Sequence, residues 1–204
     1  MQNVLLKTGA EAQLWLCESL CEKTIVKKRV PKNYRIEQLD NKIRKERTKL
    51  EAGLLHNAKL AGIRVPFLKR IDLTDFSIEM EFVQGTRVKE AINEKNSRMI
   101  CKSFGEKIAL LHNAGIIHGD LTTSNAILEA NNELCILDFG LGFYSTKLED
   151  KAVDLLNLKK TFQSTHFKLL KAWLVLEKAY LKKAVDGKSV LKQLEKVEKR
   201  VRYS

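Results

Sequence analysis

The order of signals along the chain predicts an α+β protein in two parts. A β-rich first part with one long helix covers residues 1–83, and a mainly helical second part covers 84–204. Three observations carry this reading. Short apolar runs separated by turn residues recur up to Val83, interrupted by a single helical pattern over 34–62. Gln84-Gly85-Thr86 then breaks the pattern, which makes it the boundary between the parts. Beyond it, apolar residues recur at helical spacing almost throughout, except around one hairpin at 126–137.

In chain order, Leu5–Leu20 reads as strand, turn, strand, with the single Gly9 in Lys7-Thr-Gly-Ala-Glu-Ala12 at the turn. One glycine alone is a weak signal for a phosphate cradle. Thr24–Val30 is the next strand. Its run Lys27-Lys-Arg-Val-Pro-Lys32 has two readings: a nuclear-import cluster, or a strand in which one lysine points into a cleft while alternation exposes the others. The strand context favours the second.

The helical pattern over 34–62, interrupted at most once, places Ile36, Leu39 and Ile43 on one face and continues it with Leu50, Leu54, Ala58 and Ala61. Gly62 suits the residue after the helix end, and Pro66 blocks continuation. Glu51 on this helix is either a solvated acid or the ion-pair partner of Lys27. Phe67–Ile71 and Ser77–Val83 form a further hairpin around Leu73–Phe76. Residues 97–114 form an amphipathic helix with Ile100, Phe104, Ile108 and Leu111 inward, Ser97 at its N-cap and Gly115 at its end. His112 reads as a helix-end or packing residue. After a very short loop at Leu141–Lys147, Glu149–Leu155 opens a helix with acids in its first turn. His166–Leu181 and Val190–Val201 close the chain as two helices separated at Asp186-Gly187.

Composition excludes some classes of function. With 44% hydrophobic and 30% charged residues, the chain is an ordinary globular sequence with enough length to bury a core. No apolar run approaches the roughly 20 residues of a membrane span, and Met1–Ala10 shows no secretory pattern. The four cysteines (17, 21, 101 and 135) and four histidines (56, 112, 118 and 166) fit no metal-ligand spacing, so buried thiols in a reducing compartment are expected. The formal charge of +12 is uneven: residues 23–49 hold eleven Lys/Arg against three acids, and 182–202 hold eight against three. That balance favours polyanion partners, nucleic acid above all.

The chemistry concentrates in 118–140. Ala126–Leu128 and Leu134–Leu137 form a hairpin around Glu129–Glu133, so Asn125 and Asp138 lie at the same sheet end. Asp120 sits on the loop that feeds this hairpin. Three oxygen-bearing side chains at one place can hold Mg²⁺ and orient a nucleophile.

Together these features resemble the protein-kinase fold in a minimal two-lobed form. More closely, the chain resembles the small atypical kinase/ATPase subunit of the KEOPS (EKC) complex, related to the RIO kinases. The resemblance rests on Gly9-Ala-Glu-Ala12, Lys27–Lys32 with Tyr34-Arg35 and Leu39-Asp40, and Arg47-Thr48 with Glu51-Ala52. It continues through His118-Gly-Asp-Leu-Thr-Thr-Ser-Asn125, Asp138-Phe-Gly-Leu141, Glu149–Leu155 and Ser164-Thr165-His166.

The resemblance implies an N-lobe at 1–83, a C-lobe at 84–204 with a basic tail, and ATP with Mg²⁺ as cofactors. By the same resemblance Lys27 holds the α/β-phosphates and pairs with Glu51, Asp120 orients or deprotonates the acceptor, and Asn125 and Asp138 hold the metal. Gly9, Ala10 and Glu11 approach phosphate, Met80, Glu81 and Val83 meet adenine, and Asp154 either braces the catalytic loop or simply starts a helix.

It also implies a role in making threonylcarbamoyl-adenosine on tRNA, beside an actin-like-fold transferase and the other KEOPS subunits. Location would be cytoplasmic and nuclear, with tRNA met through basic surfaces and no membrane. There are departures from ordinary protein kinases. Position 119 is glycine rather than arginine, no long activation segment or Ala-Pro-Glu follows Asp138, and Val201 stands in the tail Lys199–Tyr203 where the family has glycine. Two other readings stand beside this one. One is a small-molecule phosphotransferase of the aminoglycoside or choline kinase type. The other is a non-catalytic ATP-binding scaffold.

Overall fold

Ten strands and six α-helices occur in the computed structural model, which describes residues 2–19 and 22–202. Leu20, Cys21 and Tyr203 lie outside the described residues. The chain divides into two compact units, one of residues 1–56 and 66–83, the other of 57–65 and 84–204.

The first unit is an antiparallel sheet of β1 (Gln2–Thr8), β2 (Ala12–Glu18), β3 (Lys23–Arg29), β4 (Leu68–Asp72) and β5 (Ser77–Glu81), in the order β1-β2-β3-β5-β4. β3 is central, and Lys27 stands opposite Leu14 on β2 and Ile78 on β5. Asp72 closes the β4–β5 turn by accepting from the N–H groups of Thr74 and Asp75 and from the Thr74 hydroxyl; these bonds hold its pKa down to about 2. Helix α1 (Glu37–Leu60) runs without interruption. Its Ala52 packs with Ile78 and Met80, flanked by Ile25 and Leu68. It ends as Gly62 predicts: Gly62 takes φ +80°, its N–H donates to Lys59 O, and the Ile63 N–H donates to Ala58 O.

The buried face of α1 is only in part the expected one: Leu54 and Ala58 lie on it as expected. Ile36, Leu39 and Leu50 are exposed, while Asp40, Thr48 and Glu51 are buried beside Ala52, Leu54 and Ala58. Charge pairing decides this. Asp40 meets Arg44 at 2.7 Å and Arg35 at 3.4 Å, and Glu51 is paired as described below. Ion pairs formed inside the unit outweigh the hydropathy of three aliphatic side chains.

The second unit opens with β6 (Thr86–Arg87) and α2 (Val88–Ala91), then α3 (Ser97–Asn113), β7 (Ile116–Ile117), β8 (Ala126–Leu128), β9 (Leu134–Ile136) and β10 (Phe143–Tyr144). Helices α4 (Leu148–Thr165), α5 (Leu170–Lys183) and α6 (Gly187–Arg202) follow, with a 3₁₀ turn at Phe167–Leu169. Ile100, Phe104, Ile108 and Leu111 of α3 are buried as the pattern requires, with Trp173, Leu176 and Tyr180 of α5 in the same core. Gly105 sits where α3 and α5 cross; a Cβ there would lie 2.3 Å from Leu176 O.

The N-cap of α3 is Asn96, not Ser97. An asparagine-centred turn sets that start: the Asn93 N–H donates to the Asn96 side chain, while the Lys95 and Asn96 N–H groups donate to that of Asn93. The two-residue strands escaped the sequence reading because a strand that short carries no alternation.

Candidate active site

Within the first unit, β3 and α1 build a buried ion triad. Lys27 Nζ meets Glu51 Oε1 at 2.5 Å, and the Arg29 guanidinium meets Glu51 Oε2 at 2.6 Å. Glu51 is 2% exposed and Arg29 3%. The expected Lys27–Glu51 pair is present; Arg29 is an addition to it. Sequence reading assigned Arg29 to the solvent side, yet residues 27 and 29 share a strand face, so the period of two was the missed signal. Lys28, on the other face, pairs with Asp75 at 2.5 Å. A carboxylate held by two cations can position the Lys27 ammonium while Arg29 balances the charge.

The turn between β1 and β2 is tied to the same unit. The Gly9 N–H donates to Ala12 O, Glu11 pairs with Arg47 of α1 at 2.7 Å, and Lys32 Nζ donates to Ala10 O. The N–H groups of Ala10 and Glu11 have no hydrogen-bond partner among the described residues, which suits approach by an anion. Met80 of β5 and Val83 just after it are buried, and the Glu81 N–H donates to Phe67 O.

Within the second unit, one buried carboxylate organises the loop ahead of β8. Asp154 of α4 accepts the backbone N–H groups of His118 and Gly119, each at 2.9 Å. Its Oδ2 also lies 3.3 Å from His112 Nε2, and His112 Nδ1 lies 2.8 Å from the Tyr180 hydroxyl. In the tautomer with its proton on Nε2, His112 donates to Asp154 and its Nδ1 accepts from the Tyr180 hydroxyl. Burial, then the charges of Asp186 and Asp154, push the Tyr180 pKa up and keep its hydroxyl protonated. Asp154 thus braces the loop, and His112 is the side chain that braces Asp154 from α3. The sequence reads His112 as a helix-end or packing residue, because nothing in sequence spacing joins 112, 154 and 180.

The loop presents its polar groups from this support. The His118 ring bonds Leu137 O at 2.8 Å and lies 4.7 Å from the Phe139 ring. The Asn125 amide nitrogen donates to Asp120 Oδ2 at 2.8 Å and to Asp120 O at 3.0 Å. Asp138, at φ +59°, accepts the Gly140 N–H at 3.2 Å. The Leu137 N–H donates to Asn125 O at 2.8 Å, joining the two ends of the hairpin. Asp120 and Asp138 are exposed on this buried frame.

With its nitrogen committed to Asp120, Asn125 has its side-chain oxygen left to offer, and Asp138 at the other end of the hairpin adds a carboxylate. Such a set fits Mg²⁺, which is held by one or two carboxylates together with phosphate oxygens. No group of three or more His, Cys, Asp or Glu able to cage a metal occurs among the described residues.

Two further positions, both noted in the sequence, have contacts that spacing does not show. The His166 ring nitrogen lies 2.9 Å from Thr123 Oγ1, in the 3₁₀ turn Thr123–Asn125, so the end of α4 supports the turn that carries Asn125. Burial, then the charge of Lys89, lower the His166 pKa and favour the neutral ring. Gly119 takes φ +79°, and a Cβ there would lie 2.3 Å from Leu141 O. The backbone after Asp138-Phe-Gly140 occupies the space a side chain at 119 would need. It then pairs as β10 with β7, Phe143 opposite Ile117, before α4 begins at Leu148.

A sheet with one long helix, followed by a helical unit that presents Asp120, Asn125 and Asp138 from an Asp154-braced loop, defines a minimal protein-kinase domain. The protein kinase domain family model matches residues 7–184. The chain is 38% identical to the KEOPS complex subunit Bud32 of Pyrococcus abyssi, over 98% of this chain and 96% of that one. It therefore belongs to the Bud32 family of protein-kinase domains.

It is also 41% identical to a probable bifunctional tRNA threonylcarbamoyladenosine biosynthesis protein of Methanosarcina acetivorans, over 98% of this chain and 35% of that protein. The chain thus spans about a third of the length of several curated relatives it matches. Among solved structures, the Rio2 kinase–ADP/Mg²⁺–phosphoaspartate complex of Chaetomium thermophilum shares the fold with TM-score 0.68 at 14% identity, over 97% of this chain and 70% of that one.

Proposed function

We propose that this chain is a Mg²⁺-dependent ATPase and Ser/Thr kinase that works as a subunit of the KEOPS assembly, in the making of threonylcarbamoyl-adenosine on tRNA. The observation that carries the chemical part is the loop braced by Asp154, with Asp120 and Asn125 locked to each other at 2.8 Å. A phosphoryl-transfer centre must fix a carboxylate beside the nucleophile and place oxygen ligands for a metal next to it.

In this reading Lys27, positioned by Glu51, holds the α/β-phosphates, and the backbone of Gly9, Ala10 and Glu11 approaches them. Met80, Glu81 and Val83 meet adenine through backbone groups. Asn125 and Asp138 hold Mg²⁺, which when bound neutralises charge on the phosphate oxygens. Asp120 accepts the proton of the attacking water or hydroxyl, or holds that group in line.

The relatives' names support the assembly and the RNA: one is a KEOPS complex subunit, others are tRNA threonylcarbamoyladenosine biosynthesis proteins. Partners are then the actin-like-fold transferase, the other subunits, and tRNA through basic surfaces. The segment from Leu141 to Leu148 is too short for a peptide platform, which favours ATP hydrolysis or phosphorylation of a narrow set of partners. Reconstitution with the transferase subunit tests the reading. ATP hydrolysis that depends on this chain and responds to added tRNA is the expected result; hydrolysis indifferent to both would refute it.

A further inference from the structure

Basic residues on the second unit are of two kinds. Many are neutralised: Lys151 by Asp186 at 2.6 Å, Lys159 by Glu198 at 2.7 Å, and Arg64 by Glu129 at 2.9 Å. Those around the α3–α5 crossing are mostly not. Their side chains line a groove of about 790 Å³ whose walls carry Lys102 and Lys107 from α3 and Lys178, Lys182 and Lys183 from α5. Its one acid is Glu106, only 4.0 Å from Lys102, and Lys107 reaches Glu133 at 3.8 Å. Lys178, Lys182 and Lys183 are exposed and meet no carboxylate among the described residues. The crossing at Gly105 brings the two helices close enough to make a concave seat rather than two separate faces. Lys178 and Lys182 stand one turn apart, about 6 Å along the helix.

We propose that this groove binds the phosphodiester backbone of an RNA. The claim rests on the tRNA-modification reading above for the kind of nucleic acid, and on the groove for the place. Five lysines against one glutamate call for a polyanion, and lysine meets phosphate as a point charge. Protein–protein contact surfaces are depleted in lysine and enriched in aromatic residues, methionine and arginine, none of which lines this groove. Without aromatic side chains it has no platform for stacking bases, so the contact follows the backbone and not the sequence. The apolar floor of Leu110, Val175 and Ala179 lowers the local dielectric beneath those charges and strengthens them.

The test is binding of a fluorescently labelled tRNA transcript to the full chain across a salt series, with ATP turnover measured on the same samples. The variant is Lys178→Gln with Lys182→Gln and Lys183→Gln. The control is Lys188→Gln with Lys192→Gln and Lys196→Gln on α6, which removes the same charge from exposed positions outside the groove. The proposal expects the groove variant to weaken binding about tenfold or more near 0.1 M salt and to flatten the slope of log K against log salt by about 2. It expects a smaller change in the α6 control.

Wild-type affinity and slope in the groove variant would overturn the inference while leaving the kinase reading intact, as would an equal loss in both variants. Unchanged RNA binding with weakened binding of the transferase subunit would assign the groove to a protein and overturn it too. Absence of ATP turnover in wild type, alone and with the partner subunits, would instead count against the kinase reading, whatever the RNA result. Glutamine is a good helix former, so the variants are expected to fold; matching circular dichroism melts would verify this.

Discussion

Replacing Asp154 with asparagine should slow phosphoryl transfer far more than it weakens nucleotide binding. In the folded chain the carboxylate is fully buried and meets three donors, the N–H groups of His118 and Gly119 at 2.9 Å and His112 Nε2 at 3.3 Å. Asparagine keeps one acceptor oxygen and turns an NH₂ group toward a donor. At least one buried N–H is then left unpaired, costing about 1–3 kcal/mol, and the remaining bonds lose their charge assistance. A total of about 2–5 kcal/mol corresponds to a fall in Tm of roughly 5–15 °C for a chain of this size. Below that Tm, the loop carrying Asp120 is no longer held in register, and a displacement of about 1 Å can cost about 10²-fold in rate. Lys27 and Glu51 lie in the other unit and are untouched, so the KM for ATP should change little. Calorimetry and steady-state ATP turnover at 20 °C measure both quantities. An Asp154→Asn protein with wild-type Tm and kcat would refute the bracing role.

Three further outcomes follow from the same geometry. Glu51→Gln leaves Lys27 and Arg29 buried without their anion; the loss should be about 3–5 kcal/mol in urea unfolding, with a raised KM for ATP, and a variant matching wild type in both would dismiss the triad. Gly119→Ala places a side chain at φ +79° against Leu141 O, and the left-handed backbone alone costs about 1–2 kcal/mol, so a lowered Tm and kcat are expected. His166 is buried with its pKa below the ordinary 6.5. Between that lowered value and 6.5 the unfolded chain binds the proton and the folded chain does not, so this histidine's contribution to stability is full above 6.5 and falls as pH drops through the window. His166→Gln should remove that part of the slope between pH 7.5 and 5.5, and an unchanged slope would exclude the histidine as its source.

What sequence could and could not reveal follows from the range of each interaction. The hairpin at 126–136 was legible because alternation and an asparagine-rich turn are local, and it carried Asn125 and Asp138 with it. Lys27 and Glu51 were legible through the resemblance. Arg29 shares the strand face of Lys27 and was readable from period two, yet a run of three cations invited a solvent-exposed reading. The buried face of α1 was misjudged in part because Asp40 and Glu51 pair with Arg35, Arg44, Lys27 and Arg29, and pairing over that range leaves no hydropathy signal. His112 and His166 act through Asp154 and Thr123, contacts spanning some forty residues that only the fold brings together. Gly119 was recognised as a departure, but its physical necessity lies in the backbone of Leu141.

The most direct test of the central claim is single-turnover release of γ-phosphate from ATP by wild type and by Asp138→Ala, with and without the partner subunits and tRNA. Asp138 is exposed, so the variant should keep its fold. The account predicts a loss of at least about 10²-fold in the rate, because the proposed function makes Asp138 an oxygen ligand of the metal that would neutralise phosphate charge. Undiminished release by well-folded Asp138→Ala protein would contradict it.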